Sequence, residues 1–186
     1  MQSINKLKNS ARHPTSIIFR GEDLLGIEIA KSLLEQGGAV IIVDKGTKEV
    51  DQYMDILGSY DLLTLIDYSG IEALTRDLRR LDYVFYLNHQ LINFENKIST
   101  QTFLQASNYL DSILDLTAKF DAKFLLSTSI KAHQQVLAQK NFDFNFNPNV
   151  EENYSLYTEL DIQRYSESLV KEYQEKVGID ARIARL

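Results

Sequence analysis

The chain has 186 residues, enough for one domain with a full core, and its 44% hydrophobic and 25% charged residues are ordinary for a globular protein. A formal net charge of −6 argues against a sequence-independent binder of phosphate backbones, which needs a basic face. There is no cysteine, which excludes disulfides and thiolate metal sites, and three scattered histidines (His13, His89 and His133) offer no zinc set.

No apolar run approaches the ~20 residues that span a bilayer, and the opening fourteen residues lack the apolar stretch of a secretory signal. Residues 1–14 are expected to form a flexible N-terminal arm ending at Pro14, followed by one domain over 15–186. The expected compartment is the cytoplasm.

The first predicted strand is the apolar run Ser16 to Phe19. A turn follows at Arg20-Gly21-Glu22-Asp23. Leu24, Leu25, Ile27, Ala30, Leu33 and Leu34 then recur at helical spacing, and Gly37-Gly38 stops that helix. A β-branched run, Ala39 to Val43, ends on Asp44. Strand, turn, helix, strand and acid make the βαβ unit of a dinucleotide-binding sheet, with the acid placed to bind an adenosine ribose. A short helix is expected over Val50–Leu57, a third strand over Leu62–Ile66 ending on Asp67, and a helix over Ile71–Leu81. The fourth strand is Tyr83–Leu87, apolar throughout, with Asn88 and His89 at its end. Thr100–Phe120 is the longest expected helix, and Lys123–Leu126 is a fifth strand running into Ser127-Thr128-Ser129. Periodicity weakens from Lys131 to Glu152, a long excursion of the kind that carries function in such sheets. A helix over Leu156–Lys176, striped by Leu160, Ile162, Tyr165, Leu169, Val170 and Tyr173, leads to a last strand, Ala181–Leu186. Short alternating crossovers of this kind force a parallel sheet covered on both faces. The expected fold is a doubly wound α/β domain of the Rossmann type with strand order 3-2-1-4-5-6.

This ordered set resembles the extended short-chain dehydrogenase/reductases, the NAD-dependent nucleotide-sugar epimerases and dehydratases. The segments that carry the resemblance are Leu33 to Gly37 with Val43-Asp44, Asp67 with Glu72-Ala73-Leu74, Asp82 to Leu87, Phe124 to Ser129, and Gly178 to Asp180 through Arg185-Leu186. The resemblance implies an NAD cofactor, a nucleotide-sugar ligand and a substrate lobe that is missing from this chain, so the chain is expected to be the first part of a longer one.

Departures from the family pattern are specific. Its glycine turn, G-x-x-G-x-x-G, places Arg20, Asp23 and Gly26 at the three glycine positions. The residues expected beside a cofactor are therefore Arg20, Gly21, Asp23, Leu25 and Gly26. Asp23 sets a carboxylate toward a diphosphate, a repulsion of about 4 kcal/mol at 4 Å and an effective dielectric near 20. Arg20 either reaches the phosphates or pairs with Glu22 or Asp23, and those two acids alternatively occupy the helix N-terminus themselves. The resemblance further implies that Asp44 and Asp67 hold the adenosine ribose and the adenine amino group; the alternative is that each is a polar strand end. Asp44 would repel a 2′-phosphate, favouring NAD over NADP. Asn88 and His89 replace two small residues close to the cofactor.

The family's reaction uses a hydroxyl residue, a tyrosine and a lysine four residues on. Ser129 matches the hydroxyl residue. No lysine lies between Lys140 and Lys171; Glu159 stands at the tyrosine position and Gln163 at the lysine position, with Tyr157 nearby as a candidate or as a core or interface residue. Without the ammonium group nothing lowers a phenol from its pKa of ~10, so impaired catalysis is expected. The alternative is a non-catalytic scaffold or interaction module that has lost the cofactor. The resemblance also implies a homodimer through helices 100–120 and 156–176.

Overall fold

The computed structural model describes residues 13–21, 24–44, 57–58, 60–67, 71, 76, 78–88, 100–130 and 150–186, with backbone alone at 44, 100–103 and 150–160. Among them the elements run β1 (Thr15–Phe19), α1 (Leu24–Glu35), β2 (Ala39–Asp44), β3 (Leu63–Asp67), β4 (Tyr83–Leu87), α2 (Thr100–Phe120), β5 (Lys123–Thr128), α3 (Val150–Lys176) and β6 (Ala181–Arg185). The six strands form one sheet in the order β3-β2-β1-β4-β5-β6. Every pairing is parallel. The fold is the expected doubly wound Rossmann-type sheet.

All five residues of β1 are buried, because this strand is central and both its faces are covered. Alternation along the strands sorts their side chains into two layers. Ile17, Phe19, Ile41, Val43, Val84, Tyr86, Phe124 and Leu126 face Leu110, Ile113 and Leu114 of α2 and Leu169 and Val170 of α3. Ile18, Val40, Ile42 and Leu87 face Ile27, Ala30 and Leu34 of α1. The chain leaves α1 through Gly37 at φ 78°. The Gly37 and Gly38 N–H groups donate to the Leu34 and Leu33 carbonyls, both at 2.9 Å, satisfying the helix's last carbonyls.

Helices α2 and α3 pack side by side. The Tyr173 hydroxyl of α3 lies 2.9 Å from Asp111 Oδ1 and 2.8 Å from Asp115 Oδ1 of α2. Burial pushes the Tyr173 phenol up, and its hydrogen bonds to Asp115 and Asp111 push it further.

Several element boundaries differ from the sequence expectation. Residues 78–82 are not helical, although Leu78 and Leu81 fit the helical period. Both are buried in the layer beneath α2. Here the chain is already committed to the sheet: Asp82 accepts the Thr15 N–H at 2.8 Å, and the Arg80 Nε donates back to Asp82. Helix α3 begins at Val150, six residues before the expected start at Leu156. Pro14 and His13, expected at the end of a loose arm, are tied to the sheet. The Ala39 N–H donates to the Pro14 carbonyl at 2.8 Å, and His13 Nδ1 lies 2.8 Å from the Gly37 carbonyl. The remainder of the arm, the expected helix over 50–57 except Leu57, and residues 131–149 lie outside the described residues.

Candidate functional site

In an open parallel sheet, ligands bind outside the carboxyl ends of the strands, at the point where strand order reverses. In this sheet that point lies between β1 and β4. Arg20 follows directly on β1. Its backbone adopts φ 57°, in the left-handed region that glycine enters freely and a branched residue enters at a cost. Its N–H donates to the Val43 carbonyl at 3.2 Å, holding the turn against β2. Its guanidinium Nη1 donates to Asn88 Oδ1 at the end of β4, so the pair reaches across the crevice. Arginine carries donors only, so the oxygen of the Asn88 amide faces it.

The turn then passes Gly21, which is buried. A Cβ on Gly26 would sit 2.5 Å from the Gly21 Cα and carbonyl oxygen, so α1 lies directly on the turn's backbone. Bare backbone at Gly26 therefore performs the packing role of the last glycine in the turn. A Cβ on Gly21 would meet Ile18 Cγ2 at 2.9 Å. Leu25 is half-buried and packs against the Ile18–Ile42 layer. Asp23 and His89 lie outside the described residues.

Asp44 and Asp67 end neighbouring strands in register, their Cα atoms paired across β2 and β3. Asp67 is exposed. The two acids thus share the sheet edge beside the Arg20 turn.

Asn88 is buried, and its N–H donates to both the Ser127 carbonyl at 3.0 Å and Ser127 Oγ at 3.1 Å. Two residues further along, Ser129 is buried and its N–H donates to Gln163 Oε1 at 3.0 Å. Gln163 is only 1% exposed. Its Nε2, like Asn88 Nδ2, has no hydrogen-bond acceptor among the described residues. Tyr157 lies on the backbone of α3 one turn and a half before Gln163.

The buried face of α3 is more polar than its stripe predicted. Gln163, Ser166 and Glu167 are buried beside Val170, whereas Tyr165, expected in the stripe, is 40% exposed. These positions recur at i, i+3, i+4 and i+7, one face of a helix. The polar groups have partners at the strand ends. Thr128 Oγ1 donates to Glu167 Oε1 at 2.8 Å, and Arg185 Nε and Nη2 donate to Glu167 at 3.1 and 2.7 Å. Glu167 holds the Arg185 guanidinium above its ordinary pKa by the hydrogen bond, against burial, which works to lower it. Glu167, Thr128 and Arg185 were not among the residues expected at the site. The signal available in the sequence was a glutamine and a glutamate at helix positions whose period demands apolar residues.

Chemically, the crevice divides in two. Its β1–β3 side carries a guanidinium, a close glycine contact and two carboxyl strand ends, which suit the diphosphate and adenosine of a dinucleotide. Arg20, Gly21, Gly26, Asp44 and Asp67 would hold them, and the bound nicotinamide would supply the hydride. On its β5–α3 side, among the described residues, a carboxamide stands beside Ser129. Gln163 has no titratable proton, and its oxygen is engaged by the Ser129 N–H. A carboxamide cannot lower the pKa of a neighbouring phenol as an ammonium does.

No family model and no curated protein matches the sequence. Solved structures do match in fold. The UDP-N-acetylglucosamine 4-epimerase from Methanobrevibacter ruminantium M1, in complex with UDP-N-acetylmuramic acid, superposes with a TM-score of 0.69 at 17% identity, over 93% of this chain and 54% of its own. Vestitone reductase from alfalfa gives 0.63 at 17% identity, over 92% of this chain and 56% of its own. Yeast methylglyoxal/isovaleraldehyde reductase, complexed with NADPH, gives 0.66 at 11% identity, over 91% and 56%. The chain thus has the fold of the epimerase and reductase Rossmann domains and spans little more than half the length of these proteins. At such identities the likeness is one of fold.

Proposed function

We propose that this chain is a nucleotide-binding Rossmann domain of the NAD-dependent epimerase/dehydratase kind in which hydride transfer is impaired. Its cofactor is NAD, its ligand class is the nucleotide sugars, and it acts in the cytoplasm. One observation supports the loss of chemistry: Gln163, which the resemblance sets at the position of the reaction's lysine, accepts the Ser129 N–H through its amide oxygen. Asp44 at the end of β2 supports NAD over NADP, because a carboxylate repels a 2′-phosphate. The domain pairs into a homodimer through helices 100–120 and 156–176, a reading supported by Leu104 and Tyr165, which are 54% and 40% exposed on those helices.

Purified protein is expected to show no oxidation or reduction of NAD or NADP in an absorbance assay. Turnover abolished by Ser129→Ala would overturn this reading. NAD at 100 times its dissociation constant is expected to raise stability by about 2.7 kcal/mol in thermal unfolding. No shift would favour the second reading, a scaffold or interaction module without cofactor. That reading draws support from the Arg20–Asn88 bond, which reaches across the crevice a dinucleotide would occupy.

A further inference from the structure

A parallel sheet normally has helices over both faces. Along β4, β5 and β6 the two faces of this sheet differ. On the α2–α3 face, Val84, Tyr86, Phe124, Leu126 and Ala181 are all buried. On the opposite face, which α1 covers at β1 and β2, burial fades toward β6. There Phe85, Leu125 and Ala184 are half-buried, and Tyr83, Lys123 and Arg182 are exposed. Register places these residues together: Tyr83 pairs with Lys123, Phe85 with Leu125, and Leu125 with Arg182. Among the described residues, the helices packed most closely on β5 and β6 are α2 and α3, both on the other side. Leu87 and Ser127, next to the crevice, are buried, so the uncovered area lies away from it.

Its charge is one-sided. Lys123 and Arg182 face outward here, and no acid does so from β4, β5 or β6. Arg182 pairs with Asp180, but both are exposed, and such a pair holds its guanidinium weakly. At the amino ends of β4 and β5 the area runs into a cleft of about 460 Å³, lined by Arg79, Arg80 and Lys123 against Asp82 and Asp121. Asp82 pairs with Arg80, which leaves one cation in excess in a chain whose net charge is −6. A second copy docked by two-fold symmetry would set this face against itself, bringing Lys123 and Arg182 against their own like charges.

We propose that the open face of β4, β5 and β6 is a docking surface for an amphipathic helix of a partner polypeptide. Its apolar stripe lies on Phe85, Leu125 and Ala184, and its acidic flanks meet Lys123 and Arg182. A helix is the element that completes a layer on such a sheet, and an apolar stripe with charged borders matches an apolar strip between cations. The surface is separate from the crevice and lies on the other side of the sheet from α2 and α3, so the inference is independent of nucleotide binding and of pairing.

The test is fluorescence anisotropy of labelled synthetic helices of about 15 residues, titrated with the wild-type chain. One has a leucine stripe flanked by glutamates, one the same stripe flanked by lysines, and one the glutamates with serines in place of leucines. The glutamate–leucine helix is expected to bind saturably, at least tenfold more tightly than either of the others. Lys123→Glu combined with Arg182→Glu is expected to turn the preference to the lysine helix, with an unchanged melting temperature because both residues are exposed. Should that variant fail to fold, Lys123→Glu alone decides. Binding of no helix, equal binding of the serine helix, or a preference that survives the charge reversal overturns the proposal. So does binding abolished by Leu104→Asp combined with Tyr165→Asp, which would place the helix on α2 and α3. Self-association of the wild-type chain that Leu125→Asp abolishes would seat a second copy on this face, and it too overturns the proposal.

Discussion

Gly26 shows how much one missing methyl group decides. Its Cα rests so close to Gly21 that a Cβ would approach backbone atoms at 2.5, 2.5 and 2.7 Å. Backbone cannot rotate away as a side chain can, so Gly26→Ala must push α1 off the β1 turn. The expected cost is about 2–3 kcal/mol, at the upper end of overpacking, read as a lowered urea midpoint; an unchanged midpoint would contradict the packing described. This role was legible in the sequence, because only a glycine at the last position of the turn permits it. The fate of Arg20 was not legible. The residue before Gly21 was open to the phosphates, to Glu22 or to Asp23, the last two outside the described residues; the structure adds a partner the sequence did not suggest, Asn88, 68 positions away. Local spacing carries no information about a contact that exists only once β1 and β4 lie side by side.

Elements repeat this division. Regular periodicity located every strand to within a residue or two, since β-branched and aromatic runs bounded by turns suit buried parallel strands. It failed at residues 78–81, where helical spacing of Leu78 and Leu81 lost to a tertiary tie at Asp82. Burial alone would raise the Asp82 carboxyl, but the Arg80 hydrogen bond, the Thr15 N–H and the Arg80 charge outweigh it and hold the group below the usual carboxylate range. A depressed carboxyl stabilises the fold above its unfolded pKa of ~3.9, and that contribution disappears as pH falls through the lower folded value. Acid unfolding should therefore steepen below about pH 4 in the wild-type chain, and Asp82→Asn should flatten that dependence. Identical acid profiles would show that the tie between the β1 and β4 starts is not electrostatic. In α3 the failure was of another kind. The apolar stripe was read as the buried face, and Ile162, Leu169 and Val170 are buried as read, but Gln163, Ser166 and Glu167 are buried too and Tyr165 is 40% exposed. A polar face can enter a core only where donors and acceptors await it, and Thr128, the Ser129 N–H and Arg185 supply them.

At the scale of the molecule, α2 and α3 lie together at one face of the sheet and leave Leu104 and Tyr165 to solvent. If that face joins two copies, sedimentation velocity should return a dimer, and Leu104→Asp combined with Tyr165→Asp should return a monomer. A monomeric wild-type chain at micromolar concentration would remove the proposed pairing. Nucleotide binding and pairing can each be tested separately on this one sheet, because they use its strand ends and its outer helices respectively. The sequence by itself determined the alternation of strands and helices, the parallel sheet and its order, and the absence of a lysine four residues beyond any tyrosine in α3. Those properties follow from residues near one another in the chain, through periodicity, turn chemistry and composition. Only the tertiary structure decided that Arg20 meets Asn88, that Gln163 meets Ser129 and that Glu167 meets Thr128 and Arg185. Each of those contacts joins groups 18 to 68 residues apart, and hydrogen bonds of a few ångströms respond to distance in space rather than to distance along the chain.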